Sequence, residues 1–238
     1  MGRPQGKEIP MVTKLRIIGA VLALAGLGFI GAGVYAFSEV QAGKNSLQKF
    51  SEAQNVMLTY NEDGQLIDRG EVEGAQAILS LLKDDWGYKV VDAELDPNDP
   101  LVNTGTEYMY QMALVGYHTL TGSATVVLDE AVEYNGETFD AGTYEVPADG
   151  KYWADFDRMH PLEGPARAQI WNPTAHGLFG ELGVGAVTDS TLKLGLGIVG
   201  MISGLGLLFL ALGAGLFWIS GDVARKATAK VEETVAAA

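Results

Sequence analysis

Two stretches of this chain carry no charge over lengths that a soluble fold has trouble hiding: Ile17 to Phe37 spans 21 residues and Leu194 to Ser220 spans 27. At ~1.5 Å rise per residue they reach about 31 and 40 Å, against a hydrocarbon core of about 30 Å. Each can cross a bilayer, the second with tilt or protrusion. A soluble domain of this size has no core that would enclose two helices apolar on every side. The first run has a rival reading as a signal peptide, because Arg3, Lys7, Lys14 and Arg16 precede it and Val34-Tyr35-Ala36 offers a cleavage site. A signal's apolar region is shorter, about 7–15 residues, so a span is the better expectation. The expected fold class is a membrane protein: a two-helix transmembrane hairpin with an α+β domain inserted between the spans.

Charge orients the hairpin. Ser38 to Lys193 carries nine basic and 26 acidic residues, a balance of −17, whereas the two ends together carry +3. Basic residues near the spans set orientation, and the ends lead by seven to three, the three being Lys44, Lys49 and Lys193. The expected layout is a cytoplasmic arm over 1–16, a first span over 17–37, an extracytoplasmic domain over 38–193, a second span over 194–220 and a cytoplasmic tail over 221–238. So acidic a domain repels phosphate backbones, which argues against a nucleic-acid partner. With no cysteine in the chain, disulfides, thiolate metal sites and thiol nucleophiles are excluded.

Within the outer domain, Leu47, Phe50, Val56 and Met57 predict a helical stalk passing into a strand. Asn61-Glu62-Asp63-Gly64 predicts a turn before a short return strand at 65–67. Ala77, Ile78, Leu81, Leu82 and Trp86 fall at helical spacing and Gly87 closes them. Tyr88 to Leu95 alternates weakly as a strand until Pro97 and Pro100 stop it. A second, central helix begins near Thr104 and ends at Gly122. The segment from Ala124 to Trp153 predicts strands, with Asn135-Gly136 as a hairpin turn whose two central positions need positive φ. Ala154 to Thr191, rich in Gly and Pro, predicts an ordered loop around Trp171 and Phe179.

Catalytic chemistry is hard to find. Asp155, Asp157 and His160, with His176 further on, are weak candidates for metal ligands, but no HExxH or comparable spacing supplies the rest of a coordination shell. Asp96 to Asp99 lacks the glycine and terminal glutamate of a calcium loop. Gly-x-Ser-x-Gly does not occur, and Ser-x-x-Lys at 46–49, 80–83 and 190–193 comes without the Ser-Asp-Asn and Lys-Thr-Gly elements that accompany it in serine enzymes, so no serine nucleophile is predicted. The sequence predicts no catalytic residue, no metal and no cofactor. The spans carry no charge, which argues against a transport pathway.

Small residues are the clearest functional pattern. Gly200, Gly204, Ala211 and Gly215 recur on one side of the second span, and Gly28, Ala32 and Ala36 do so in the first. In lipid such residues let backbones approach closely, and close packing replaces the missing hydrophobic drive for association. The stripes serve either to pack the two spans together or to dock other helices.

The opening KLRIIGAVLALAGLGFIGAGVYAF, the outer domain and the closing LGLGIVGMISGLGLLFLALGAGLFW resemble a group of small two-span envelope proteins of actinobacteria with no assigned function, most strongly over the two spans, about a fifth of the chain. Some of these carry the label of an aromatic ring-opening dioxygenase, an enzyme class whose iron ligands and soluble fold have no counterpart in this sequence. The resemblance implies no catalytic residue. The first functional expectation is a non-catalytic accessory subunit docking through its small-residue faces on integral membrane subunits, with a respiratory assembly or membrane-bound monooxygenase as host. The alternatives are a free-standing envelope binding module for lipid, glycan or cation, and a metal-dependent extracytoplasmic enzyme.

Overall fold

A computed structural model describes residues 10–236; Arg3 and Lys7 of the basic arm lie outside them. The elements run α1 (Met11–Gln54), α2 (Val72–Ser80), a single π-helical turn (Leu81–Asp85), a 3-10 turn (Asp92–Glu94), α3 (Gly105–Leu120), β1 (Ser123–Leu128), β2 (Val132–Tyr134), β3 (Glu137–Phe139), β4 (Gly142–Pro147), α4 (Glu163–Ile170) and α5 (Pro173–Ala236). They divide into two compact units, 1–43 with 192–238, and 44–191.

In the first unit α1 and α5 run antiparallel. Both helices are long and apolar enough to cross a membrane, and a small α+β region lies between them in the chain. Their most apolar stretches are only 17% and 11% buried, so neither is a core helix wrapped by protein. The seam between them is made of glycine. Gly19, Gly26 and Gly33 are the buried positions of α1 here, and Gly206, Gly213 and Ser220 those of α5. A Cβ on Gly26 would sit 2.7 Å from the Gly206 carbonyl oxygen, and one on Gly213 would sit 2.7 Å from the Gly19 oxygen. Gly33 faces the Ser203 hydroxyl. The repeat of seven is that of left-handed supercoiling, which keeps one face toward its neighbour turn after turn. Phe29 on Phe209, at 5.6 Å between centroids, and a bond from Arg16 Nε to Ser220 Oγ at 3.4 Å add to the seam.

The second unit is built on α3. Thr104 caps it: its hydroxyl accepts from the Glu107 N–H while the Glu107 carboxylate accepts from the Thr104 N–H, a reciprocal capping box. Tyr108, Tyr110 and Ala113 bury against Ile78 and Leu82, with Leu58, Val102, Leu182 and Ala186 closing the core. A second cluster of Leu120, Val126, Phe156, Ile170 and Trp171 joins α3 to β1 and α4. β1 pairs with β4 and β2 with β3, all antiparallel, as one interrupted hairpin. Its tip is the expected Asn135-Gly136, both at positive φ.

Two expectations fail. Tyr88 to Leu95 forms no strand, because its backbone is spent locally: Tyr88 N–H donates to the Leu82 carbonyl, Val91 N–H to the Thr106 hydroxyl, and Glu94 N–H closes a 3-10 turn on Val91. Ala154 to Thr191 is no ordered loop but holds α4 and the start of α5. Gly177, Gly180 and Gly183 there face open space, where lack of a side chain costs propensity but no packing. Gly185 sits where a Cβ would be 2.6 Å from the Tyr108 ring, so that glycine is what lets α5 lie on α3. Asn172 caps the helix, its Oδ1 accepting from Thr174 and Ala175 N–H, with Pro173 at the first helical position.

Candidate functional site

The small-residue stripes read from the sequence lie off the glycine seam. A Cβ at Gly28, Gly200, Gly204 or Gly215 would meet no atom within 4 Å. Ala32 and Ala211 are exposed and Ala36 half-buried. Gly31 and Gly197 join the open set. The pairing of α1 with α5 therefore uses one group of glycines and leaves another group bare. The seam group escaped a search at spacing four because it repeats every seven residues.

The structure does not bring the acidic and histidine candidates into one shell. Asp155 Oδ2 accepts from the Tyr152 N–H at 2.9 Å. Asp157 Oδ2 accepts from the Tyr134 hydroxyl at 2.7 Å and Oδ1 from the Met159 N–H; the Tyr134 bond, first among the causes, holds its carboxyl below the ordinary value. His160 Nδ1 accepts from the Leu162 and Glu163 N–H groups at the start of α4, and its ring meets Tyr134 and Phe139 edge-on. His176 lies between Trp153 and Trp171. Among the described residues no three His, Asp or Glu groups converge as metal ligands. These side chains tie the β2–β3 tip to α4, aided by Lys151 Nζ on Glu163 at 2.7 Å. Burial pushes the Glu163 carboxyl up, but the bonds from Lys151 and the Asp157 N–H outweigh it and the net shift is down.

The α3 N-terminus gathers three carboxylates. Glu107 accepts from Asn103 and Thr104 N–H, Asp189 from Gly105 N–H at 2.8 Å, and Glu94 from Thr106 N–H at 3.0 Å. A helix start presents unsatisfied N–H groups and positive potential, and here the chain's own acids occupy it. Glu107 is 2% exposed, and burial raises its carboxyl above the ordinary value. Nearby, the Tyr60 and Tyr110 hydroxyls are buried without a hydrogen-bond partner among the described residues. Burial, then Glu107 and Asp96, push the Tyr60 hydroxyl up to about 12.

Of the clefts on the second unit, one of about 240 Å³ lies beside Tyr60 and Leu66, and two are roomier. The larger of these, about 740 Å³, lies between the end of α3 and the α4–α5 turn. Its polar walls are already committed: His118 Nε2 to Asp68 at 3.0 Å, Ser123 to Glu145, Gln169 to the Thr125 carbonyl, and Asn172 to its cap. The smaller, about 520 Å³, lies against the π-helical turn and is lined by Leu81, Asp85, Tyr117, Leu120, Thr121 and Tyr152 among others. Here the Asp85 carboxylate and the Tyr117 hydroxyl have no hydrogen-bond partner among the described residues. Sequence reasoning missed this cleft. Asp85, Tyr117 and Tyr152 lie far apart in the sequence, and no local pattern there marks it.

No family model, no curated protein and no solved structure matches the chain.

Proposed function

We propose that this chain is a non-catalytic accessory subunit of a larger membrane complex, anchored by α1 and α5 as two membrane spans and docked on other integral membrane subunits through its bare glycines. One observation carries the reading: the α1–α5 seam consumes Gly19, Gly26, Gly206 and Gly213, while Gly28, Gly31, Gly197, Gly200, Gly204 and Gly215 remain open. Glycine is a costly residue inside a helix unless something needs the close approach. The excess of basic residues at the two ends supports a layout with both termini in the cytoplasm and the acidic unit outside.

Extraction in a mild detergent followed by native electrophoresis tests the reading. The wild-type chain should run in an assembly larger than itself, and Gly200→Leu with Gly204→Leu should release it without changing its thermal unfolding. A wild-type chain migrating alone, or a double variant that stays assembled, overturns the proposal.

A further inference from the structure

We infer that the cleft against the π-helical turn is a binding site for a small organic cation, an amine or quaternary ammonium. The inference is independent of the accessory reading above. It begins with the backbone. Leu81–Asp85 is a π-turn, with Trp86 N–H donating to the Leu81 carbonyl at 3.0 Å, and such widened turns re-aim side chains and recur at functional sites. This one delivers two groups. Asp85 lines the cleft, and Trp86 donates its indole N–H to the Tyr152 hydroxyl at 2.7 Å.

That bond, with the stacking of Tyr152 on Trp171 at 5.8 Å and 29°, holds the Tyr152 ring at its hydroxyl and along one face. The residue is nonetheless 40% exposed and lines the cleft. A held aromatic ring loses little freedom when a ligand settles on it, which is where preorganised sites gain affinity. Tyr117 brings a second ring, and Leu81 and Leu120 supply an apolar wall suited to alkyl groups.

Charge selects the ligand. Asp85 is the one acid and no Lys or Arg lines the cleft, so no fixed positive charge awaits an anion. The surrounding segment carries 26 acids against nine bases, a field that concentrates cations at its surface. Aromatic faces beside a carboxylate attract an ammonium through the ring quadrupole, by about 0.5–2 kcal/mol per ring as desolvation increases. A neutral ligand such as a sugar would stack on Tyr152 and could donate to Asp85, but it would gain nothing from the surrounding field.

The test is calorimetric titration of the full chain in maltoside micelles with choline, with tetramethylammonium, and with 3,3-dimethylbutan-1-ol as the uncharged counterpart of choline. Saturable binding of both cations is expected, with the alcohol weaker by about tenfold or more. Asp85→Asn and Tyr152→Leu should each weaken choline by about tenfold. Thr121→Lys, at an exposed position lining the same cleft, should abolish binding by placing a fixed cation there while leaving thermal unfolding unchanged. No saturable heat with either cation up to about 50 mM, equal binding of the alcohol, or an undiminished Asp85→Asn variant overturns the inference.

Discussion

Glu107 shows how a single residue can set the pH response of the fold. Its carboxyl is held above the ordinary 4.5 by burial, so the folded chain binds that proton more tightly than the unfolded one. Between about 4.5 and the raised value the native state carries the excess proton, and stability therefore falls as pH rises through that window. Asp157 and Glu163 have the opposite sign: both are held below their ordinary values, and the stability they contribute is lost as pH falls through their folded values. Thermal unfolding across pH 4–7 should show a falling limb on the alkaline side that Glu107→Gln removes; parallel profiles for the two proteins would refute this. The tyrosines offer a second contrast. Tyr110 buries a hydroxyl with no partner, so Tyr110→Phe should be neutral or stabilising. Tyr108 bonds the Ser51 hydroxyl at 2.7 Å, so Tyr108→Phe should cost about 1 kcal/mol in denaturant unfolding.

Among the elements, the seam and the hairpin respond to substitution for different reasons. Gly26→Leu has to displace the Gly206 backbone, which Cβ geometry puts 2.7 Å away, and should destabilise the helix pair by about 1–3 kcal/mol. Gly28→Leu meets open space and should leave circular-dichroism melting unchanged. Gly136→Ala, at φ +84°, should cost about 1 kcal/mol through backbone strain alone. The same elements show what was legible beforehand. Asn135-Gly136 announced its hairpin because a type I′ turn demands those residues locally, and Thr104 announced α3. The start of α5 stayed hidden because glycine content reads as loop while packing on Tyr108, a tertiary fact, makes it helix. Asn172-Pro173 is a helix start signal embedded in that glycine-rich stretch. The seam is hard to see in sequence because spacing four is the familiar mark of close packing in lipid, whereas Gly19, Gly26 and Gly33 repeat at seven. Nothing in the linear order of Asp85, Tyr117 and Tyr152 announces a shared cleft, since three separate elements have to converge before it exists.

At the scale of the whole molecule, the two-span reading makes a topological prediction. Protease added to intact cells should cut between residues 44 and 191 while tags fused to either end stay protected; protection of that segment would reverse the orientation read from basic residues. The π-turn at Leu81–Asp85 has a consequence for how such a chain changes over generations. A helix of this kind carries one residue more than α register allows, so loss of a single codon, that for Lys83 for instance, would return the turn to ordinary pitch. Trp86 would keep its place against Tyr152, because four residues at α pitch turn through about the arc that five cover in the π-turn, and only the residues inside the turn, Asp85 among them, would be redistributed. The bulge could thus be gained or lost by one in-frame codon with α3 and the glycine-paired helices left as they were.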